Sequence, residues 1–511
     1  MANHLIQELC HATESSQDRV FLETPSGFAL TFGDFAMLTA RYASALAALG
    51  AEPGDRVAAQ IEKSPWAIAL YLATVRAGAV FVPLNTAYTE AEIAYFLADA
   101  APKIFVCDPA RRESLAKAAG KAHVPAIETL GSDGSGSFPG LSQRCAPQPE
   151  NVCRAPDDLA AILYTSGTTG RSKGAMLTHG NLASNARTLA EIWRFTPEDV
   201  LLHALPVDHT HGLFVAINTV LLSGGKIVLM PKFDAGECLA LLARATVFMG
   251  VPTFYTRLLA HPGLAQEKLA HIRLFVSGSA PLLEETHRAF REKTGHIILE
   301  RYGMTETNMN TSNPYDGPRR PGSVGLPLPG VSLRIVSPAD GSALPQGETG
   351  VIEVKGPNVF KGYWRKPDKT AESFRQDGYF ITGDLGRIGA DGYVCIVGRA
   401  KDMIISGGLN IYPKEVEDAI NALPGVIESA VFGVPHPDFG EAAAAAVVLA
   451  PGASLSEAEV KTALAKNLAK FKVPKRVIST AELPRNTMGK VQKIVLRETY
   501  KDLFGAARAS S

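Results

Sequence analysis

Between Thr31 and Gly50 apolar residues recur at helical spacing (Phe35, Leu38, Tyr42, Leu46, Leu49), and the run stops at a glycine, which predicts a helix. The DRVAAQI stretch after it reads as a strand. TEAEIAYFLADAAPKIFVCD, residues 89–108, repeats the order helix then strand. This alternation predicts α/β layers in which helices cover the strands. Residues 130–150 are rich in Gly, Ser and Pro without periodicity and are expected to form a surface connection. Further on, RLFVSGSAP (273–281) and ERYGMTE (300–306) are apolar or mixed strands that open into small-residue turns. Strand ends of this kind are where open α/β sheets hold ligands. After Arg399 the pattern changes to a helix with apolar positions Val416, Ala419, Ile420 and Leu423, two strands, and the helical stretch SEAEVKTALAKNLAKF (456–471). The expected fold is therefore α/β: a large N-terminal domain of sheets covered by helices, residues 1–399, and a small α+β C-terminal domain, residues 400–511.

Bulk properties narrow the partners. The chain has 511 residues, too many for one core, and 51 basic residues balance 51 acidic ones. No net field favours nucleic acid or an anionic membrane, so neither is expected as a partner. The cysteines (Cys10, Cys107, Cys145, Cys153, Cys238, Cys395) show no metal or redox spacing, and the N-terminus lacks a basic stretch followed by an apolar one. A cytoplasmic protein with reduced thiols is expected.

The chemistry begins at YTSGTTGRSKG, residues 164–174. A Gly and hydroxyl loop leaving an apolar run can wrap N–H donors around phosphate, with a lysine nearby to neutralise it. A polar hairpin loop fits the same residues. His203, His209 and His211 include an H-x-H spacing, yet no third ligand of suitable type lies near.

Five ordered motifs decide between these readings: the 164–174 stretch, YGMTE (302–306), YFITGDLG (379–386), GRAKDMIISGGLNIYP (398–413) and PRNTMGK (484–490). Together they resemble the adenylate-forming superfamily of acyl-CoA synthetases, over essentially the whole chain. The resemblance implies ATP, Mg²⁺ and coenzyme A as cofactors and co-substrates. It implies a nucleotide site of Thr165, Ser166, Gly167, Thr168, Thr169, Gly170, Lys173, Ser279, Ala280, Pro281, Glu300, Tyr302, Gly303, Met304, Thr305, Asp384 and Arg399. Tyr302 would stack on adenine, Glu306 would bind Mg²⁺, and Asp384 would accept bonds from the ribose. Thr165, Lys173, Glu306 and Lys490 would be the catalytic set, Lys490 meeting the attacking carboxylate and the α-phosphate. The small domain would turn about Lys401 between two half-reactions and bring Gly407 and Gly408 to the coenzyme A channel. Lysine acetylation by an acetyltransferase, reversed by a deacetylase, would silence Lys490 by removing its charge.

Within that superfamily, DHTHGLF, VPTFYTRLL, SGSAPL and the segment from Glu300 to Val331 together resemble the malonyl-CoA synthetases. In the segments that line the family's acid pocket stand His209, Arg257, Ser277 and Arg301, which is more polarity than an alkyl tail tolerates and suits a second carboxylate. Arg257 and Ser277 are the expected grip, with His209 beside them and Arg301 as a further candidate. Malonate or a related small dicarboxylic acid is thus the expected substrate. The alternatives are a ligase for another short or medium-chain acid, an adenylation module that loads a carrier-protein thiol, and a luciferase-like oxygenase.

Overall fold

The structure is a computed structural model that describes residues 2–13, 16–148, 150–165, 172–407, 409–486 and 489–504. The chain divides into two compact units, Met1–Leu333 with Val354–Phe380, and Arg334–Glu353 with Ile381–Ser511. Compactness is a different property from mobility, so the expected division at 399/400 stays a proposal about which part moves.

Among the described residues the first unit holds two sheets. Nine strands form one, in the order Leu326–Pro327, Asn308–Ser312, Leu299–Met304, Leu274–Ser277, Val247–Gly250, Val200–His203, Lys226–Leu229, Val20–Glu23, Ala29–Thr31. From Leu299–Met304 to Val20–Glu23 the neighbours are parallel, and antiparallel strands finish both ends. The parallel strands are nearly continuous apolar runs because both faces are covered. Below one face, Phe248, Tyr255, Phe275 and Phe290 meet mostly edge-on, with centroids 5.1–6.5 Å apart. The other sheet runs Ala126–Thr129, Ile104–Cys107, Arg56–Gln60, Val80–Pro83, Leu159–Thr165, Lys173–Thr178.

Local signals account for the helices. Thr31, Thr89 and Thr178 each close a capping box on helices Phe32–Ala48, Glu90–Ala100 and His179–Ile192. One expectation needs correction. Residues 130–150 are more than a surface connection: they contain the helix Ser137–Gln143, anchored by Phe138, which is fully buried against Tyr42 at 4.9 Å. A single aromatic anchor in a polar stretch leaves no period to read.

In the second unit, Ser332–Val336, Gly350–Lys355, Phe380–Ile388 and Val394–Arg399 form one sheet. Another contains Leu409–Ile411, Ile404–Ser406, Gly440–Leu449 and Val426–His436, with Arg476–Ser479 parallel to Gly440–Leu449. Helix Pro413–Asn421 packs Val416 and Ile420 into a core shared with Val431, Ala445 and Leu464. The helix predicted over 456–471 starts at a Ser456 capping box but ends at Leu464.

Candidate active site

Strands Leu159–Thr165 and Lys173–Thr178 are antiparallel, and their last pair is Thr165 with Lys173. The candidate phosphate residues Ser166, Gly167, Thr168, Thr169 and Gly170 lie outside the described residues. Residues 361–364 run beside the second arm: Met176 N–H donates to Gly362 C=O and Lys361 N–H to Met176 C=O, both at 2.9 Å, and Trp364 N–H donates to Gly174 C=O at 2.8 Å. That ladder puts the Tyr363 ring against Lys173, whose ammonium lies 4.0 Å from the ring centroid. The Tyr363 hydroxyl in turn donates to Glu306 Oε1 at 2.9 Å. Glu306 is buried, and its carbonyl accepts the Phe360 N–H at 2.8 Å. The structure therefore brings Lys173 and Glu306 together through a residue that the sequence reading missed.

Met304 and Thr305 begin the turn from strand Leu299–Met304 back to Asn308–Ser312. Gly303 is required there, since a Cβ would fall 1.8 Å from the Asn308 carbonyl oxygen. Tyr302 is buried beside it. Glu300 Oε1 accepts the Leu282 N–H at 3.1 Å, so its carboxylate holds the loop that carries Ser279, Ala280 and Pro281.

The same strand ends build a polar cluster. Ser277 closes its strand fully buried, and Gly278 follows. An ideal Cβ on Gly278 would lie 2.3 Å from Cζ of Arg301 and 2.4 Å from its Nη1, so the guanidinium occupies the space that a side chain would need. Glu300 and Arg301 are adjacent in an extended strand and point to opposite faces, which rules out a pairing between them. Among the described residues, Arg301 Nε and Nη2, Ser277 Oγ and His211 Nε2 are buried without a hydrogen-bond partner. Burial lowers the Arg301 guanidinium to about 9, which leaves it cationic at neutral pH. Ser279 Oγ and His211 Nδ1 are 3.2 Å apart, and Ser279 has φ +73°. His211 opens a π-helical turn, His211–Ile217, a form often found at functional sites. Burial, with Arg301 nearby, pushes the His211 pKa well down and keeps its ring neutral. His209 is half-buried two residues earlier.

Arg257 differs from Arg301 in burial. It is exposed in the last turn of helix Pro252–Ala260, whose buried face is Tyr255 and Leu258. Two residues on from Tyr255 is about 200° around a helix. The arginine buried beside Ser277 and Gly278 is Arg301.

In the second unit, Asp384 and Arg399 face each other across adjacent strands, with Arg399 Nε 2.7 Å from Asp384 Oδ1. Asp384 is buried and its N–H donates to Thr382 Oγ1. Lys401 is exposed in a short 3₁₀ turn, Ala400–Asp402. Gly407 has φ +57°, and Gly408 lies outside the described residues. Lys490 is half-buried in a closed loop: Asn486 Oδ1 accepts its N–H at 2.9 Å, and its carbonyl accepts the Asn486 N–H at 3.0 Å.

Residues 10–364 match the AMP-binding enzyme family and residues 415–490 the AMP-binding enzyme C-terminal domain. The chain belongs to the AMP-binding enzymes. This AMP-binding enzyme is similar to ATP-bound MatB from Rhodopseudomonas palustris, at 58% identity and a TM-score of 0.96 over 99% of this chain and 100% of that one. It is 38% identical to a feruloyl-CoA synthase from Amycolatopsis, over 93% of this chain and 94% of that protein. It is 37% identical to a mitochondrial malonate–CoA ligase from Mus musculus, over 85% and 79%. Sequence reasoning missed Tyr363 and weighed His211 only as part of an H-x-H spacing; the contacts of both are made by residues distant in the chain.

Proposed function

We propose that this AMP-binding enzyme is an ATP-dependent malonate–CoA ligase. One malonate carboxylate oxygen attacks the α-phosphate of ATP, the bond to the β-phosphate breaks, and pyrophosphate leaves. The thiol of coenzyme A then attacks the acyl carbon of malonyl-AMP, and AMP leaves. Malonate is ionised at neutral pH, so the first step needs no general base. Phosphoryl transfer leaves the protein chiefly positioning and charge neutralisation.

The observation that carries the substrate assignment is the Arg301 guanidinium, buried against bare Gly278 beside the buried Ser277 hydroxyl, with N–H groups unpaired among the described residues. A planar cation in that state suits the non-reacting carboxylate of a small diacid, and its cost would be hard to explain beside an alkyl tail. Methylmalonate adds only a methyl group to the same recognition.

Lys173 and Thr165 serve the polyphosphate end, with the 166–170 loop between them. Among the described residues no three His, Cys, Asp or Glu side chains are grouped to hold a metal. Mg²⁺ takes few protein ligands and shares phosphate oxygens; bound at the buried Glu306 carboxylate it would neutralise polyphosphate charge. Tyr302 with the 279–281 and 300–305 segments receives the adenylate, and Asp384 with Arg399 its ribose. Lys490 supplies the cation for adenylation, the 400–511 part turning about Lys401 afterwards so that Gly407 and Gly408 line the approach of coenzyme A. Acetylation of Lys490 would remove its charge and switch the first step off. Cysteines without metal or redox spacing support a reducing, cytoplasmic setting. No described helix is long and apolar enough to cross a membrane.

The test is pyrophosphate exchange with a panel of mono- and dicarboxylic acids, with and without coenzyme A. Malonate should outperform acetate, butyrate and octanoate. Exchange driven best by a monocarboxylate would overturn the substrate, and loading of a carrier protein in preference to coenzyme A would favour the adenylation-module reading.

A further inference from the structure

Tyr363 touches both charged groups at the polyphosphate end with different parts of one ring: its face meets the Lys173 ammonium at 4.0 Å, and its hydroxyl donates to Glu306 Oε1 at 2.9 Å. Both contacts are fixed by backbone. The bridge between Ala175 and Tyr363, and the flanking bonds to Gly174 and Met176, tie residues 361–364 to the strand that starts at Lys173. The Phe360 N–H binds the Glu306 carbonyl from the same segment. Packing restrains the ring further, since Phe360 meets it at 4.9 Å, 71° from parallel.

A buried carboxylate and an ammonium so close would ordinarily form a direct pair, which spends the cation on the protein's own anion. An aromatic ring between them satisfies each differently. Its quadrupole holds the ammonium without neutralising it, and its O–H occupies one carboxylate oxygen. That hydrogen bond fixes the plane of the carboxylate and so the direction of Oε2, as outer hydrogen bonds orient metal ligands in general.

The geometry points to Tyr363 as the positioning residue that sets Glu306 and Lys173 for Mg²⁺·ATP. The inference rests on the proposed nucleotide site and deepens it. Neither contact is made to substrate, so Tyr363 acts through its two neighbours.

The experiment uses the full chain and measures ATP binding by calorimetry without any acid, once with Mg²⁺ and once with EDTA, alongside pyrophosphate exchange. In wild type Mg²⁺ should tighten ATP. Tyr363→Phe keeps the ring and removes the hydroxyl: it should lose about 10-fold of the tightening by Mg²⁺, in the range found for groups that orient metal ligands, while binding in EDTA stays unchanged. Tyr363→Leu removes the ring as well and should also weaken binding in EDTA. The KM for malonate should stay within about 2-fold of wild type in Tyr363→Phe, a readout that general loosening would not spare. A Tyr363→Phe protein that shows the wild-type gain from Mg²⁺, or that changes only its melting temperature, overturns the inference. If instead wild type binds no ATP and exchanges no pyrophosphate with any acid, the ligase reading itself fails, and the two failures are separable.

Discussion

Ser279 Oγ sits 3.2 Å from Nδ1 of His211, on a backbone held at φ +73°. Strained backbone beside a neutral buried imidazole is tolerated only where the surroundings fix both, and such spots concentrate at functional sites. It joins the 278–281 loop to the turn that begins at His211, so the two walls of the polar cluster are set by one contact.

Acid should destabilise the protein well before its carboxylates titrate. Burial lowers His179 to about 4 and His203 to about 3, and His211 is pushed down as well. In the unfolded chain these rings take protons near 6.5, while in the folded state they do not. The unfolded state thus binds more protons below pH 6.5, and stability falls as pH drops from there toward 4, by at most about 1.4 kcal/mol per pH unit for each ring. Urea midpoints measured at pH 7.5, 6.5, 5.5 and 5 should drop slightly between the first two, since each unfolded ring is half protonated near 6.5, and fall more steeply after. A flat profile down to pH 5 would contradict the neutral assignment.

Arg301→Lys replaces a planar fork with a point charge and should lower kcat/KM for malonate by roughly 10²-fold, in the range of 2–5 kcal/mol that a buried charge partner is worth. Arg257→Leu should cost much less, because that side chain is exposed. Pyrophosphate exchange at varied malonate compares the two. A larger loss in Arg257→Leu would return the grip to the helix Pro252–Ala260.

Lys490→Ala should abolish adenylation, by ~10²-fold or more, and spare thioester formation from supplied malonyl-adenylate. The loop should survive, because Asn486 binds the backbone of residue 490 on both sides. Equal loss in both half-reactions would refute the division of labour.

Lys401→Pro fixes φ at the proposed pivot. Adenylate should form at the normal rate and accumulate, with little conversion to thioester when coenzyme A is added. A normal overall rate would remove rotation about residue 401 from the cycle.

The α/β character, the strand ends at Ser277 and Met304 and the second-unit helix at Pro413 were legible because each follows from local periodicity and breakers. The helix around Phe138 was not, since one buried ring in a Gly and Ser stretch has no period. The difference between Arg257 and Arg301 also exceeded the sequence: both stand near strand or helix ends, and burial together with the cleared space over Gly278 sets them apart. Tyr363 was invisible for a related reason. It is one aromatic among the charges of residues 361–369, and its partners at 173 and 306 are distant in the chain but adjacent through strand pairing.

The bare Cα of Gly278 also bears on how such an enzyme diversifies. Any glycine codon becomes an alanine codon by one base change, and the methyl group so added would fall where the Arg301 guanidinium now rests. The guanidinium would have to shift away from that position. If Arg301 grips the acid as proposed, the choice of acid rests on a residue that contributes no side chain.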